Sequence, residues 1–280
     1  HAQEYARERV QSNALEGSAG PVPIVNHPDV QRMLATMRGL TEGARAVAMY
    51  AARANDLSLN HPDESIRASN KAVYEYLVPI VKGFSTENSI EVASLGVQVH
   101  GGMGFIEETG AAQYYRDARI LSIYEGTTAI QANDFVGRKT LRDGGSVAKG
   151  FVKAMLETVA ELEQQVGNQQ LAFIAAQLKM AVLAYEASID YVLETAKAGN
   201  VRAVFMGSVP FLMLSGYVHA GWQLARAALK CQGRNEAFYQ QKQGTAIFYA
   251  AHLLPRVSAL SAAVLAGDLA QESLAYLKTV

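Results

Sequence analysis

The sequence predicts an all-α protein, and three observations predict it. Apolar residues recur at steps of three and four along almost every segment, and no stretch alternates apolar and polar residues as a half-buried strand would. The joints between periodic stretches are short and contain Gly or Asn, the habit of antiparallel helices packed side by side.

In chain order, residues 1–10 read as helix from the first position, without an N-cap, so the chain reads as one that continues upstream. Residues 17–26, with Gly20-Pro21-Val22-Pro23, form an irregular, exposed loop. A helix over about 29–58 carries Val30, Met33, Leu34, Met37, Leu40, Ala44, Val47 and Tyr50 on one stripe. A second covers about 65–82 and is bent or ended near Pro79, which lacks a backbone donor. Ser85 or Thr86 then caps a separate helix over about 87–99, and two more cover about 110–123 and 127–141. The turn-rich run Arg142-Asp143-Gly144-Gly145-Ser146 divides the chain into residues 1–142 and 146–280. In the second part Val152, Leu156, Val159 and Val166 stripe one helix, and Leu171, Ile174, Leu178, Val182, Tyr185, Ile189 and Val192 another. Helices over about 204–230 and 235–265 and a short tail over 269–277 complete an up-down bundle.

Composition narrows the function. Half the 280 residues are hydrophobic, 18% are charged and the formal net charge is −1, which leaves no global field for nucleic acid or an anionic membrane. The single cysteine, Cys231, cannot pair internally, as in a reducing compartment such as the bacterial cytoplasm or the mitochondrial matrix. None of His1, His27, His61, His100, His219 and His252 has HxxH or HxxxH spacing, so no metal site is expected. Neither a targeting sequence nor an apolar run of membrane-spanning length stands out.

Candidate chemistry concentrates in Gln98-Val99-His100-Gly101-Gly102-Met103-Gly104-Phe105 and in Arg116-Asp117-Ala118-Arg119, then Ile123-Tyr124-Glu125-Gly126-Thr127-Thr128-Ala129-Ile130-Gln131. Three glycines just after a helix let a phosphate approach the backbone, or simply cap the helix. A dinucleotide fingerprint is excluded, because the segment follows a helix rather than a strand. Glu125 lies between two helices, with Gly126 freeing the backbone and Thr127 placed to cap the second of them. It is either a surface acid beside a cap or, in a dry pocket, a general base. Arg116, Asp117 and Arg119 read as an ion-paired helix face before an anion clamp. Arg7 and Arg9 read as exposed charge or as phosphate ligands. His100 reads as a hydrogen-bonded structural histidine; Tyr114, Tyr115, His219, Cys231 and His252 read as packing.

In order, spacing and identity, the positions from Gln98 to Gln131 resemble the acyl-CoA dehydrogenase signature, with weaker similarity back through His27-Pro28-Asp29-Val30 and Tyr5-Ala6-Arg7-Glu8-Arg9. The resemblance implies a C-terminal four-helix-bundle domain followed by the extra helical domain of larger members, such as the 3-methylmercaptopropionyl-CoA dehydrogenase group. It implies N-terminal helical and β domains upstream. By the same resemblance Glu125 matches the base that removes the α-proton of an acyl-CoA while a β-hydride passes to flavin N5, giving a trans-2-enoyl-CoA, as in fatty acid β-oxidation. Tyr124 and Gly126 match the acyl-thioester site, and Thr127 and Thr128 match flavin contacts. Gln98, His100, Gly101 and Gly102 match the approach to the adenosine-diphosphate part of FAD on a neighbouring subunit. Arg9 matches the ligand of the FAD pyrophosphate across that interface of a homo-oligomer. Electron-transfer flavoprotein is the implied acceptor. Three departures bear on FAD: Ser12-Asn13 stands where Phe-Gly is common, Ala129 replaces a usual glutamine and Ala132 a usual arginine. A non-catalytic helical assembly subunit and an acyl-CoA oxidase are the alternatives. Residues 146–280 are expected to support dimerisation or to wall off the acyl tunnel.

Overall fold

The computed structural model describes residues 1–278, all of whose named elements are helical. Helix α1 (Ala2–Glu8) has His1 at its N-cap position and no side-chain cap bond. The loop behind it is pinned by a bridge between Val10 and Pro23 and by the 3-10 turn Ile24–Asn26, whose Ile24 is buried. Helix α2 (Pro28–Asn60) starts with Pro at its first position, where the missing N–H is no loss. Asp63 caps α3 (Glu64–His100) by accepting the Ser65 N–H at 2.8 Å.

That α3 is a single helix corrects the expected interruption between 82 and 87. Pro79 sits inside it, buried between Leu77 and Ile80, and the packing of that face outweighs the lost backbone bond. Thr86 does not cap; its hydroxyl donates back to the Lys82 carbonyl at 2.8 Å within the helix. A short helix α4 (Gly102–Phe105) and the 3-10 turn Glu107–Thr109 lead into α5 (Ala111–Leu121). Helix α6 (Thr128–Asp134) then widens into a π-helix over Phe135–Leu141, where the Thr140 hydroxyl donates to the Phe135 carbonyl at 2.9 Å.

The second part comprises α7 (Ser146–Glu163), α8 (Gln169–Lys197), α9 (Val201–Met206), α10 (Ser208–Lys230), α11 (Ala237–His252), α12 (Arg256–Leu265) and α13 (Gly267–Ser273). The helix expected over 235–265 is thus two, because Pro255 cannot continue α11 and buried Leu253 and Leu254 turn the chain inward. Contrary to the expectation that no run of such length would stand out, α8 is long and apolar enough to cross a membrane by length and composition. Its stripe from Leu171 to Val192 is buried in the protein core, which accounts for that apolarity.

The main core runs without a break through both parts. Leu40 and Val47 of α2, Tyr76, Ile80 and Phe84 of α3, and Phe135 join Phe151, Tyr185, Phe211, Val218, Tyr249 and Val257. Helix α10 is its axis: Gly216 lies so close to Phe84 that a Cβ there would be 2.3 Å from the ring. A smaller cluster, Ala2, Ala6, Ile24, Met33 and Val99, fixes α1 and its loop against α2 and α3.

Candidate active site

The structure gathers the singled-out residues into two places, one at each end of the second half of α3. At its C-terminal end, Arg9, Gln98, His100, Gly101 and Gly102 line one cavity of about 610 Å³ together with Tyr5, Ser12, His27 and Met103. Residues almost ninety positions apart meet there because α1 packs on α3 through Ala2, Ala6 and Val99. His100 is buried, and its Nδ1 is 2.6 Å from the Gly96 carbonyl, so Nδ1 carries the proton. Its ring lies against Tyr5 with centroids 4.5 Å apart, and its buried Nε2 has no partner among the described residues. Gly101 takes φ +59° and ψ −140°, a conformation that suits glycine, and nothing lies within 4 Å of where a Cβ would be at Gly101 or Gly102. Arg9 is exposed and forms no ion pair among the described residues. A free guanidinium and an open glycine backbone on one cleft are groups that can meet an anion such as a phosphate.

The second place is the turn joining α5 to α6, residues 122–127. Glu125 has φ +47° and Gly126 φ +94°. A left-handed glutamate costs on the order of 1 kcal/mol, so the surroundings must hold it. Thr127 caps α6, accepting the Ile130 N–H at 3.3 Å. The Thr128 N–H closes the turn on the Ser122 carbonyl at 3.3 Å, and Arg119 donates to the Ser122 hydroxyl at 2.7 Å. The Thr128 hydroxyl donates to Glu87, and Lys82 Nζ donates to the Leu121 carbonyl at 3.3 Å while lying 4.8 Å from the Tyr124 ring centre. Within the described residues the N–H groups of Glu125 and Gly126 are unpaired, so the turn leaves two backbone donors free at the exposed glutamate.

Glu125, Tyr124 and Ile123 are all exposed. This chain alone therefore does not supply the dry pocket that a raised base requires. Tyr114 and Tyr115, expected to pack, are largely exposed, at 63% and 43%, although the Tyr114 ring meets His1 edge-on with centroids 6.2 Å apart. Arg116 is an ion-paired face residue, holding Glu107 through two bonds of 3.0 and 3.2 Å and keeping that carboxyl below its usual range. An apolar cavity of about 720 Å³ lies between α2, α3 and α5, bordered by His100 and Tyr114 and by Leu121 at the entry to the turn. Lys82 and Glu87 were not singled out from sequence; a five-residue spacing within a helix belongs to no motif. Thr127 and Thr128 stand apart from the Arg9 cleft, since Glu87 and His100 are separated by about 20 Å of helix.

The fold, with its glycine-opened glutamate turn and this cleft, is that of an all-helical domain whose family its likeness to known proteins identifies. Residues 1–140 match the family model of the acyl-CoA dehydrogenase C-terminal domain, and residues 151–274 match the acetyl-CoA dehydrogenase C-terminal-like model. The chain belongs to the acyl-CoA dehydrogenase family. It is 52% identical over 92% of its length to a 3-methylmercaptopropionyl-CoA dehydrogenase of Ruegeria pomeroyi, covering 44% of that protein. A broad-specificity linear acyl-CoA dehydrogenase of Mycobacterium tuberculosis is 35% identical over 91% of the chain, again with 44% of the relative covered. The chain thus spans less than half the length of these relatives. A Bacillus anthracis acyl-CoA dehydrogenase solved with FAD has the same fold, with a TM-score of 0.69 at 21% identity over 94% of this chain and 45% of that one. Caenorhabditis elegans ACDH-11, solved with C11-CoA, aligns with a TM-score of 0.70 at 20% identity over 89% of this chain and 39% of its own.

Proposed function

We propose that this chain is the part of a longer FAD-dependent acyl-CoA dehydrogenase that carries the catalytic base, Glu125. The observation that carries the reading is the turn itself. Glu125 is held at positive φ between two helices, with its own N–H and that of Gly126 unpaired among the described residues. A surface glutamate beside a cap has no need of that geometry.

In this reading Tyr124 and Gly126 flank the thioester, and the free N–H of Glu125 donates to its carbonyl oxygen, making the α C–H more acidic. The Glu125 carboxylate then takes the α-proton. FAD, when bound, supplies the acceptor for the hydride that leaves the β-carbon as the trans-2-enoyl-CoA forms. Thr127 and Thr128 would sit beside its flavin; Arg9, Gln98, His100, Gly101 and Gly102 would hold a diphosphate and adenosine. The distance along α3 between these two sets supports their serving the cofactors of two copies, hence a homo-oligomer. Dryness at Glu125 would come from parts of the enzyme outside this chain. Electron-transfer flavoprotein as acceptor, a role in fatty acid β-oxidation and a reducing compartment complete the proposal. Similarity to a 3-methylmercaptopropionyl-CoA dehydrogenase makes a short thioether acyl-CoA the first substrate to test.

The test is Glu125→Gln in the complete flavoprotein. FAD should stay bound while the rate of flavin bleaching by acyl-CoA falls by a factor of about 100 or more, because an amide cannot accept the proton. Bleaching at the wild-type rate would exclude Glu125 as the base.

A further inference from the structure

The catalytic turn is gripped on both shoulders by one helix. On its incoming side, Lys82 Nζ donates to the Leu121 carbonyl at 3.3 Å and lies 4.8 Å from the centre of the Tyr124 ring, one residue before Glu125. On its outgoing side, the Thr128 hydroxyl donates to the Glu87 carboxylate. Between these grips the Thr128 N–H closes the turn on the Ser122 carbonyl at 3.3 Å, and the N–H groups of Ile123 and Tyr124 reach back to the Ile120 carbonyl at 3.0 and 3.2 Å. The part that follows Tyr124, where Glu125 is left-handed, has only the long bond across it among the described residues. Lys82 and Glu87 are five residues apart, about 7.5 Å along the axis of α3, which matches the span of a short turn. Their helix is itself immobilised by buried Ile80, Gly83, Phe84 and Asn88. Each residue is matched to its task. A flexible lysine can satisfy a terminal helix carbonyl and face an aromatic ring at once, and a carboxylate is a strong acceptor for a threonine hydroxyl.

We propose that Lys82 and Glu87 are positioning residues for the base, together setting the rotation of the turn that aims Glu125. Neither need touch substrate. The inference rests on the assignment of Glu125 as the base. It adds that the aim of that base is fixed from α3 as well as by the turn's own backbone bonds. Misplacing a reacting group by about 1 Å can cost about 100-fold in rate, so a loosened grip should be read mainly in the chemical step.

The experiment uses the FAD-loaded complete enzyme with Glu87→Gln, Lys82→Met and Lys82→Arg, and Glu125→Gln alongside. Stopped-flow bleaching with an acyl-CoA gives a limiting rate and an apparent dissociation constant. Glu87→Gln, nearly isosteric, and Lys82→Met should each lower the limiting rate about 10- to 100-fold while shifting acyl-CoA affinity less than about threefold. Lys82→Arg, which keeps the cation over the ring and a donor for the carbonyl, should recover most of the rate. A general structural role would instead lower FAD content and affinity together, and arginine would not rescue it selectively. If Lys82→Met does not fold, Glu87→Gln decides. Wild-type limiting rates in the variants that hold FAD, with Glu125→Gln inactive, would overturn the positioning role alone. An active Glu125→Gln would overturn the base assignment beneath it.

Discussion

At the residue scale, the turn depends on a glycine beside a glutamate that behaves like one. Gly126 is at φ +94°, and a Cβ there would stand 2.5 Å from the Gln131 amide nitrogen. That amide is the end of a flexible side chain and can move aside, so backbone strain is the larger penalty. Gly126→Ala should therefore destabilise by about 1–3 kcal/mol, seen as a lower urea midpoint with unchanged slope. A loss of flavin bleaching larger than the loss of bound FAD should accompany it, because the alanine rotates Glu125. An unchanged midpoint would mean that the turn holds Glu125 without needing the left-handed glycine.

At the scale of elements, α3 and α10 are joined by a contact only glycine permits. The Phe84 ring, which is 1% exposed, fills the space that a side chain at position 216 would take, with Cγ and Cδ2 each 2.3 Å from the missing Cβ. Unlike the flexible end of half-buried Gln131, a core phenylalanine has nowhere to retreat. Gly216→Ala should cost about 1–3 kcal/mol by overpacking, measured as a drop in denaturant midpoint. Since Phe84 lies between Lys82 and Glu87, the same change should also reach the Glu125 turn. A neutral Gly216→Ala would show that α10 can slide away from α3. The pair is further tied by the Tyr217 hydroxyl, which donates to Asn88 at 3.2 Å and accepts from Arg256 at 2.7 Å; that arginine grips Glu91 through two bonds of 2.7 Å. Helices α3, α10 and α12 are thereby locked together.

At the scale of the whole molecule, His219 lies where the two halves of the chain meet. Phe151, Tyr185 and Tyr76 surround its ring, with centroids 4.7, 5.6 and 6.3 Å away. Nδ1 donates to the Ser215 carbonyl at 2.7 Å, and Nε2 is buried without a partner. Burial without a counter-charge pushes its pKa down to about 4, against 6.5 for the free side chain. Between those values the unfolded chain binds the proton and the folded protein does not, so stability is lost as pH falls from 6.5 towards 4. The loss is on the order of 3 kcal/mol. Carboxylates contribute to the same trend, so the measurement is a difference. Denaturation midpoints of the wild type should fall faster between about pH 7 and 4.5 than those of His219→Leu. Parallel curves would place a compensating charge or water beside the ring.

What was legible in the sequence was what local chemistry determines. Helical periodicity gave the all-α class, and the ordered signature from Gln98 to Gln131 marked Glu125, its glycine and its capping threonine, because caps and left-handed turns are written in adjacent residues. The tertiary structure decided the rest. It made α3 one helix through Pro79, since burial of Leu77 and Ile80 outweighs a single lost backbone bond. It brought Arg9 to the glycines after His100 by packing α1 on α3, and it set Lys82 and Glu87 on the two sides of the Glu125 turn. Such contacts join positions about forty residues apart or more, and no local pattern records them. They arise from which apolar faces can be buried together, a property of the whole chain rather than of any stretch of it.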